Sequence, residues 1–525
     1  MLQPAAVFSN HMVLQREKNI TIWGKTDSKE EITVAMHNQV VKALIQGDQF
    51  EATFLPMEAG GPYDVIIRQG KEVVRFLDVL VGEVWYAGGQ SNMELALANS
   101  LNGSEVVANM ENDKIRFYQV QRKSFFDDAF YESEKQTNWE VCEKGACGEW
   151  SAVATYFAQY LQNKLGIAVG IIGCNLGGTS ASCWTSRERL ETDKDTHQYI
   201  ETYDKAMEGK TIEEYEKELK EYNEWYPAWQ KKVDELYRED PDITWTKVQE
   251  IAGESRWPEP LGPKSPFRPG GLHETMTMRV SGYALRGAIY YQGEDDVEKA
   301  SYYNKTLRMV IEQFREDWQD ESLPFLIVQL PRHIFKQEAD LGKWALLRKQ
   351  QMNVHKTVAN TGIAVMIDKG EFNNIHPLEK SEVGRRLALQ AMQHVYHLPV
   401  KAYGPMYEKA SILEDKVIIQ ACNVEGSLQY RDDEFYASTR KDYCPIDRVT
   451  DVISETGFEV AGLDGIFYPA SVELEESMIY LTSEQVKEII WVRYAYHDFS
   501  PVTVFDQAGL PLAPFCEKIR GLKLF

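Results

Sequence analysis

A serine on a tight glycine turn is the first place where this sequence could do chemistry. Gly88-Gly89-Gln90-Ser91-Asn92-Met93-Glu94 follows an apolar run. A serine between a buried strand and a helix holds its hydroxyl clear of the backbone. The N–H groups of the helix start can then meet a developing oxyanion. Three more turns follow apolar runs in the same way. Asn175-Leu176-Gly177-Gly178-Thr179-Ser180 has paired glycines that let a backbone N–H approach a ligand. Tyr290-Tyr291-Gln292-Gly293-Glu294-Asp295-Asp296 offers Gln292 as a side-chain donor to an oxyanion. Asn373-Asn374-Ile375-His376-Pro377 offers His376 as a general base. Together they supply a nucleophile, a base and oxyanion donors.

Each piece also has a plainer reading. Ser91 could cap a helix. Paired glycines occur in any tight turn. Glu294, Asp295 and Asp296 could be a solvated helix start favoured by the dipole, or with His376 a metal cluster. No CxxC pair or zinc spacing accompanies them, and neither a metal nor a cofactor is expected. The serine turn is not a Gly-x-Ser-x-Gly elbow, because Met93 fills the last position. Neither a phosphate loop nor a dinucleotide fingerprint is present.

These turns need a scaffold. The apolar runs Val79–Ala87, Ala168–Cys174, Leu285–Tyr291, Phe325–Leu330 and Ile363–Ile367 suit strands buried on both faces. Amphipathic stretches at Ala152–Leu165, Tyr302–Trp318 and Glu382–Tyr396 lie between them. The pattern predicts an α/β domain over 79–400 with a doubly wound parallel sheet. Ligands of such sheets sit beyond the carboxyl ends of the strands, where the four turns fall. Alternating strands predict a β-sandwich over 1–78 and a second β-rich region over 401–525. A helical insertion over about 195–265 interrupts the α/β rhythm. It contains the capping box Thr211–Glu214 and carries Trp225, Trp229, Trp245 and Trp257. Pro227 is expected to break or kink its helix. Its aromatics either pack on the main domain or wall the cleft.

The chain has 525 residues and a net charge of −23. That charge repels phosphate backbones and anionic membranes at long range, so nucleic acid and membrane are poor partners. No apolar run reaches transmembrane length, and the first residues do not read as a signal peptide. The seven cysteines (142, 147, 174, 183, 422, 444, 516) are scattered and odd in number, so free thiols and a cytoplasmic location are expected. A homo-oligomer stays open.

The motifs resemble the SGNH-type hydrolases, specifically the sialate O-acetylesterase family and its acetylxylan-esterase relatives. Val81-Gly82-Glu83-Val84-Trp85 leading into Gly89-Gln90-Ser91-Asn92-Met93 carries the most specific part. Leu176-Gly177-Gly178-Thr179 with Trp184, Tyr291-Gln292-Gly293-Glu294, and Ile375-His376-Pro377 with Lys380, Gly384 and Arg386 carry the rest. Met12–Gln15 with Ile22-Trp23-Gly24, and Val492–Ala495 with Gly509-Leu510-Pro511, extend the match to both ends. The resemblance implies a flavodoxin-like esterase domain flanked by β-sandwich regions, acting on an acetylated carbohydrate. It implies Ser91 as nucleophile and His376 as base. The Ser91 N–H, a glycine of Gly177-Gly178 and Gln292 would form the oxyanion hole. Asn92, Trp184, Glu294 and Arg332 are candidate substrate contacts. A sialate carboxylate would call for a cation, for which Arg332 and Arg187 are the candidates.

One departure matters. The family places an aspartate just upstream of the histidine, where this chain has Asn373 and Asn374. Asp368, Glu371 or Glu294 could orient His376 instead, or a serine–histidine dyad could serve, or the enzyme could be slow. The first substrate reading is O-acetylated sialic acid. Acetylated xylan or mannan fragments come second. A non-catalytic glycan-binding protein is the alternative of another class.

Overall fold

The computed structural model describes residues 1–240, 243–335, 339–414, 416–439 and 454–519. Cys444 lies outside them. The other six cysteines are free, and four of these are buried.

Alternating polarity at the start builds antiparallel structure. Ile20–Thr26 buries Ile20 and Ile22 and pairs with Leu2–Pro4 and Gln49–Phe54. A second set, Ile32–Met36, Gln39–Lys42 and Gly60–Gln69, leads into one long strand, Glu72–Gly89. This 18-residue strand alternates in burial over its first part and is buried on both faces thereafter. Its first half pairs antiparallel with Gly60–Gln69. Its second half is the centre of a parallel sheet. The change of pattern near residue 79 therefore marks the place where one strand passes from one environment to the other.

The central sheet runs in the order Trp139–Cys142, Asn112–Gln119, Val169–Asn175, Glu72–Gly89, Gly287–Tyr291, Phe325–Gln329, Thr361–Val365. All neighbours are parallel except Trp139–Cys142. Every residue of Val169–Asn175, Gly287–Tyr291 and Phe325–Gln329 is buried, as strands covered on both faces require. Helices Ala152–Leu165 and Lys380–His394 pack together, and so do Tyr303–Asp317 and Lys343–Thr357. A Cβ at Gly384 would stand 2.7 Å from the Phe157 backbone nitrogen, so glycine there sets the close helix contact.

Among the elements that escape the sequence pattern, two show why. Asn112–Gln119 begins with three polar residues at the sheet's outer part. Lys343–Thr357 buries Arg348 and Gln351 on its inner face, which dilutes its apolar stripe.

The inserted segment forms helices His197–Met207, Ile212–Glu239 and Trp245–Ala252. Thr211 and Glu214 make the reciprocal capping box. Pro227 does not break the helix, so of the two expected outcomes, a break or a kink, the break is absent. The 28-residue element continues through it and buries Tyr215, Tyr222, Trp229 and Val233 along one stripe. A proline removes one backbone hydrogen bond, and the packed stripe offsets that loss.

After residue 400 the chain forms antiparallel sheets. Their core includes Ile419, Phe458, Val460, Ile479 and Val492, and it packs with Met352, Ile363, Val365 and Ile367 of the α/β region. Among the described residues no helix is long and apolar enough to cross a membrane.

Candidate active site

The sheet order brings three of the four turns side by side. Val169–Asn175, Glu72–Gly89 and Gly287–Tyr291 are adjacent and parallel, and each ends at its motif. The His376 loop comes from beyond the edge strand Thr361–Val365. All four therefore meet at the carboxyl edge, the general ligand position of such sheets.

The serine turn is sterically specified. Gly89 has φ +132°, and a Cβ there would stand 2.0 Å from the Tyr291 carbonyl oxygen. Only glycine fits so close to the neighbouring strand. Ser91 opens the short helix Ser91–Glu94, and no side chain caps that helix. Its hydroxyl is therefore not spent as a cap. It lies 2.8 Å from His376 Nε2, although the two residues are 285 positions apart.

The loop that carries His376 is held at several points. The His376 backbone N–H donates to Asn374 Oδ1 at 3.0 Å, and Asn374 Nδ2 donates to Glu371 Oε2 at 2.7 Å. The other Glu371 oxygen accepts from the Leu378 N–H. Asn92 Nδ2 donates to the Ile375 carbonyl at 2.9 Å and to Glu294 Oε1 at 2.6 Å. Asn92 Oδ1 accepts from Lys380 Nζ at 2.5 Å. The residue after the serine thus anchors the histidine loop. Lys380 was noted in the sequence only as a motif match, and this anchoring is the part that sequence reasoning missed.

None of the proposed acids reaches the imidazole. Asp368 is held by both terminal nitrogens of Arg386, at 2.6 and 2.8 Å. Glu371 is taken by the loop backbone and Asn374, and Glu294 by Asn92. Among the described residues no carboxylate lies within ion-pair distance of the His376 ring. The pair is a dyad. Burial, with the Lys380 charge adding to it, pulls the imidazole down to about 4. It is therefore neutral at pH 7, the state that accepts a proton. Burial also pulls the Lys380 ammonium down to about 7 and pushes the Glu294 carboxyl up to about 7.

The oxyanion candidates separate. The Gly177 N–H donates to Glu94 Oε2 at 2.5 Å, so it is occupied. Gly178, with φ +70°, and Ser91 have backbone N–H groups with no partner among the described residues. Gln292 does not fit its expected role. Its amide nitrogen donates to the Thr179 carbonyl at 3.2 Å and to Asp296 Oδ2 at 2.6 Å, and its oxygen accepts from Tyr303 at 2.7 Å. Both of its hydrogens are used within the fold, so Gln292 braces the turn that carries Gly178.

The carboxylates after Gln292 are not the expected solvated helix start. Glu294 and Asp296 are buried, and Asp296 also accepts from Tyr199 and from the Ala181 N–H. They point to separate partners. Among the described residues no group of three or more His, Cys, Asp or Glu side chains is arranged to hold a metal ion.

The expected substrate contacts are also internal. Asn92 is 1% exposed and Trp184 4%, and the Trp184 indole N–H donates to Thr179 Oγ1. Arg332 is 3% exposed, paired with Asp433, bonded to the Ser500 carbonyl and stacked over Phe435 and Phe499. It joins the α/β region to the C-terminal region. Arg187 is held by both oxygens of Asp204, at 2.9 Å each. For Arg332→Met we expect about 3–5 kcal/mol of lost stability, because Asp433 is left buried without its partner. Denaturant unfolding measures it. A changed KM at unchanged stability would instead indicate substrate contact.

The insertion reaches the site on two sides. The Asn373 side-chain amide donates to the Ile243 carbonyl at 3.4 Å. A Cβ on Gly178 would stand 2.4 Å from Trp257 Cζ2. The segment packs its own aromatics and also touches both the Gly178 turn and the Asn373 end of the histidine loop.

Comparison with known proteins gives relatives of one kind. The family model described as carbohydrate esterase, sialic acid-specific acetylesterase, matches residues 270–393. That stretch holds the third and fourth motifs. The sialate O-acetylesterase of Mus musculus is 25% identical over 475 residues, covering 82% of this chain and 81% of the relative. That of Homo sapiens is 24% identical over 451 residues, covering 79% and 75%. In fold, the chain is similar to a carbohydrate acetylesterase from Xanthomonas citri, with a TM-score of 0.74, 24% identity and coverage of 98% and 99%. The resemblance read from the motifs is borne out by the first two comparisons, and the mixed α/β fold by the third.

Proposed function

We propose that this chain is a serine esterase that removes O-acetyl groups from carbohydrates, with O-acetylated sialic acids as its first substrates. The observation that carries the reading is the 2.8 Å contact between His376 Nε2 and Ser91 Oγ at the carboxyl edge of a parallel sheet. Order along the sheet supports a flavodoxin-like SGNH domain. Taking Glu72–Gly89, Val169–Asn175, Gly287–Tyr291, Phe325–Gln329 and Thr361–Val365 as strands one to five, they lie in the order 2-1-3-4-5, with Asn112–Gln119 an additional parallel strand beyond Val169–Asn175. The antiparallel sheets on either side support flanking β-sandwich regions over 1–78 and 401–525.

In the mechanism, neutral His376 takes the Ser91 hydroxyl proton as Oγ attacks the acetyl carbonyl. The Ser91 and Gly178 N–H groups stabilise the resulting oxyanion. His376 then protonates the departing sugar oxygen, leaving acetyl-Ser91. Water, deprotonated by His376, releases acetate and restores the serine. With no carboxylate on the ring, the loop network through Asn374, Asn92 and Lys380 sets the imidazole's position. The names of the curated relatives support sialic acid as the sugar. A serine and histidine already in contact favour catalysis over glycan binding alone.

Acetate release from O-acetylated sialosides, xylo-oligosaccharides and manno-oligosaccharides tests the substrate reading. We expect kcat/KM to be highest on the sialosides, by tenfold or more. Preference for a neutral oligosaccharide would move the assignment to a xylan or mannan esterase. No release from any of them would contradict the enzyme reading.

A further inference from the structure

We propose that Arg256 and Trp257 of the inserted helical segment determine specificity, by recognising an O-acetylated sugar that carries its own carboxylate. The proposal rests on the esterase reading above.

Trp257 is the first half. Of the twelve tryptophans it is the one that is exposed, at 45%. Its indole edge lies against Gly178, beside one of the two free oxyanion N–H groups. Phe267 packs edge-on to it at 5.1 Å and Tyr226 lies at 6.0 Å, so the ring is braced. A rigid, half-open indole next to an acyl-transfer centre gives a flat apolar surface on which the C–H face of a pyranose can stack.

Arg256 is the second half. It is exposed, and its guanidinium lies over the Trp225 ring at 5.0 Å. The ring holds the group by a cation–π contact, which uses none of its N–H donors and leaves them for a carboxylate. Among the described residues no acid pairs with it, although the chain carries 80 acidic against 57 basic residues. The two arginines considered for this task are taken, Arg332 by Asp433 and Arg187 by Asp204. A stacking ring and an unspent cation on consecutive residues match a sugar acid. A neutral pentose or hexose offers the guanidinium only hydroxyl acceptors, without the opposite charge that makes the stronger bidentate pair.

The test measures selectivity ratios in the full-length protein. For each variant, kcat/KM is determined on an O-acetylated sialoside, on its carboxyl methyl ester, and on p-nitrophenyl acetate, with thermal melting as a check on folding. In Arg256→Gln we expect the preference for the free acid over the methyl ester to fall about tenfold or more. In Trp257→Ala both sugar esters should lose at least tenfold more than p-nitrophenyl acetate, and Trp257→Phe should recover part of the loss. Unchanged ratios in folded variants, with wild-type activity intact, would overturn this proposal and leave the esterase reading standing. If the wild type hydrolyses none of the three esters, the esterase reading fails and this proposal falls with it.

Discussion

Replacing Ser91 with alanine is expected to lower acetate release by a factor of about 10⁶ on the best substrate, with unfolding unchanged within about 0.5 kcal/mol. The size follows from chemistry. The hydroxyl contacts the histidine and belongs to the residue whose own backbone N–H is unoccupied among the described residues. Without it no acetyl-enzyme forms, and only binding and oxyanion stabilisation remain. The small cost in stability follows from structure. Ser91 caps nothing, and among the described residues its side-chain partner is His376. Acetate release by a coupled assay, with thermal melting alongside, measures both quantities. A variant that keeps more than a tenth of wild-type activity would contradict the role of Ser91.

Replacing His376 with alanine is the second large effect, expected at about 10⁴–10⁶ in kcat/KM. The pH profile of the wild type carries the finer information. Burial and the Lys380 charge both disfavour the imidazolium, which places the group at about 4. The base works when neutral, so activity requires a pH above that value. As pH falls, kcat/KM should hold through pH 6 and decline only as pH 4 is approached. An ordinary histidine, at about 6.5, would already have halved the rate near pH 6.5. Circular dichroism over the same range separates this limb from acid unfolding. An acid limb centred between 6 and 7 would show that a carboxylate or solvent compensates the ring in the working enzyme.

The dyad also explains which parts of the site were legible in the sequence. Ser91, His376 and Gly178 stood out because glycine turns after buried strands leave local marks, and strand order then brings them together. Partnering leaves no such mark. Arg332 looked like a substrate cation because its acid, Asp433, lies 101 positions away. Glu294 and Asp296 looked solvated because Asn92 and Tyr199, which receive them, come from other elements. Gln292 sits in the expected turn, yet Thr179 and Asp296 consume its hydrogens. Residue type and position predicted where these side chains stand and misjudged what they do there. Even the long Ile212–Glu239 helix follows this rule, since its stripe of tyrosines and tryptophan outweighs the one hydrogen bond lost at Pro227.

The central claim is that Ser91 is a nucleophile activated by His376. It is tested most directly by treating the whole protein with a fluorophosphonate and locating the adduct by peptide mass spectrometry. The account predicts a single phosphonyl group on Ser91, loss of acetate release in proportion to labelling, and labelling slowed at least a hundredfold in His376→Ala. Full activity in the labelled protein, or a label on another serine that tracks inactivation, would contradict it.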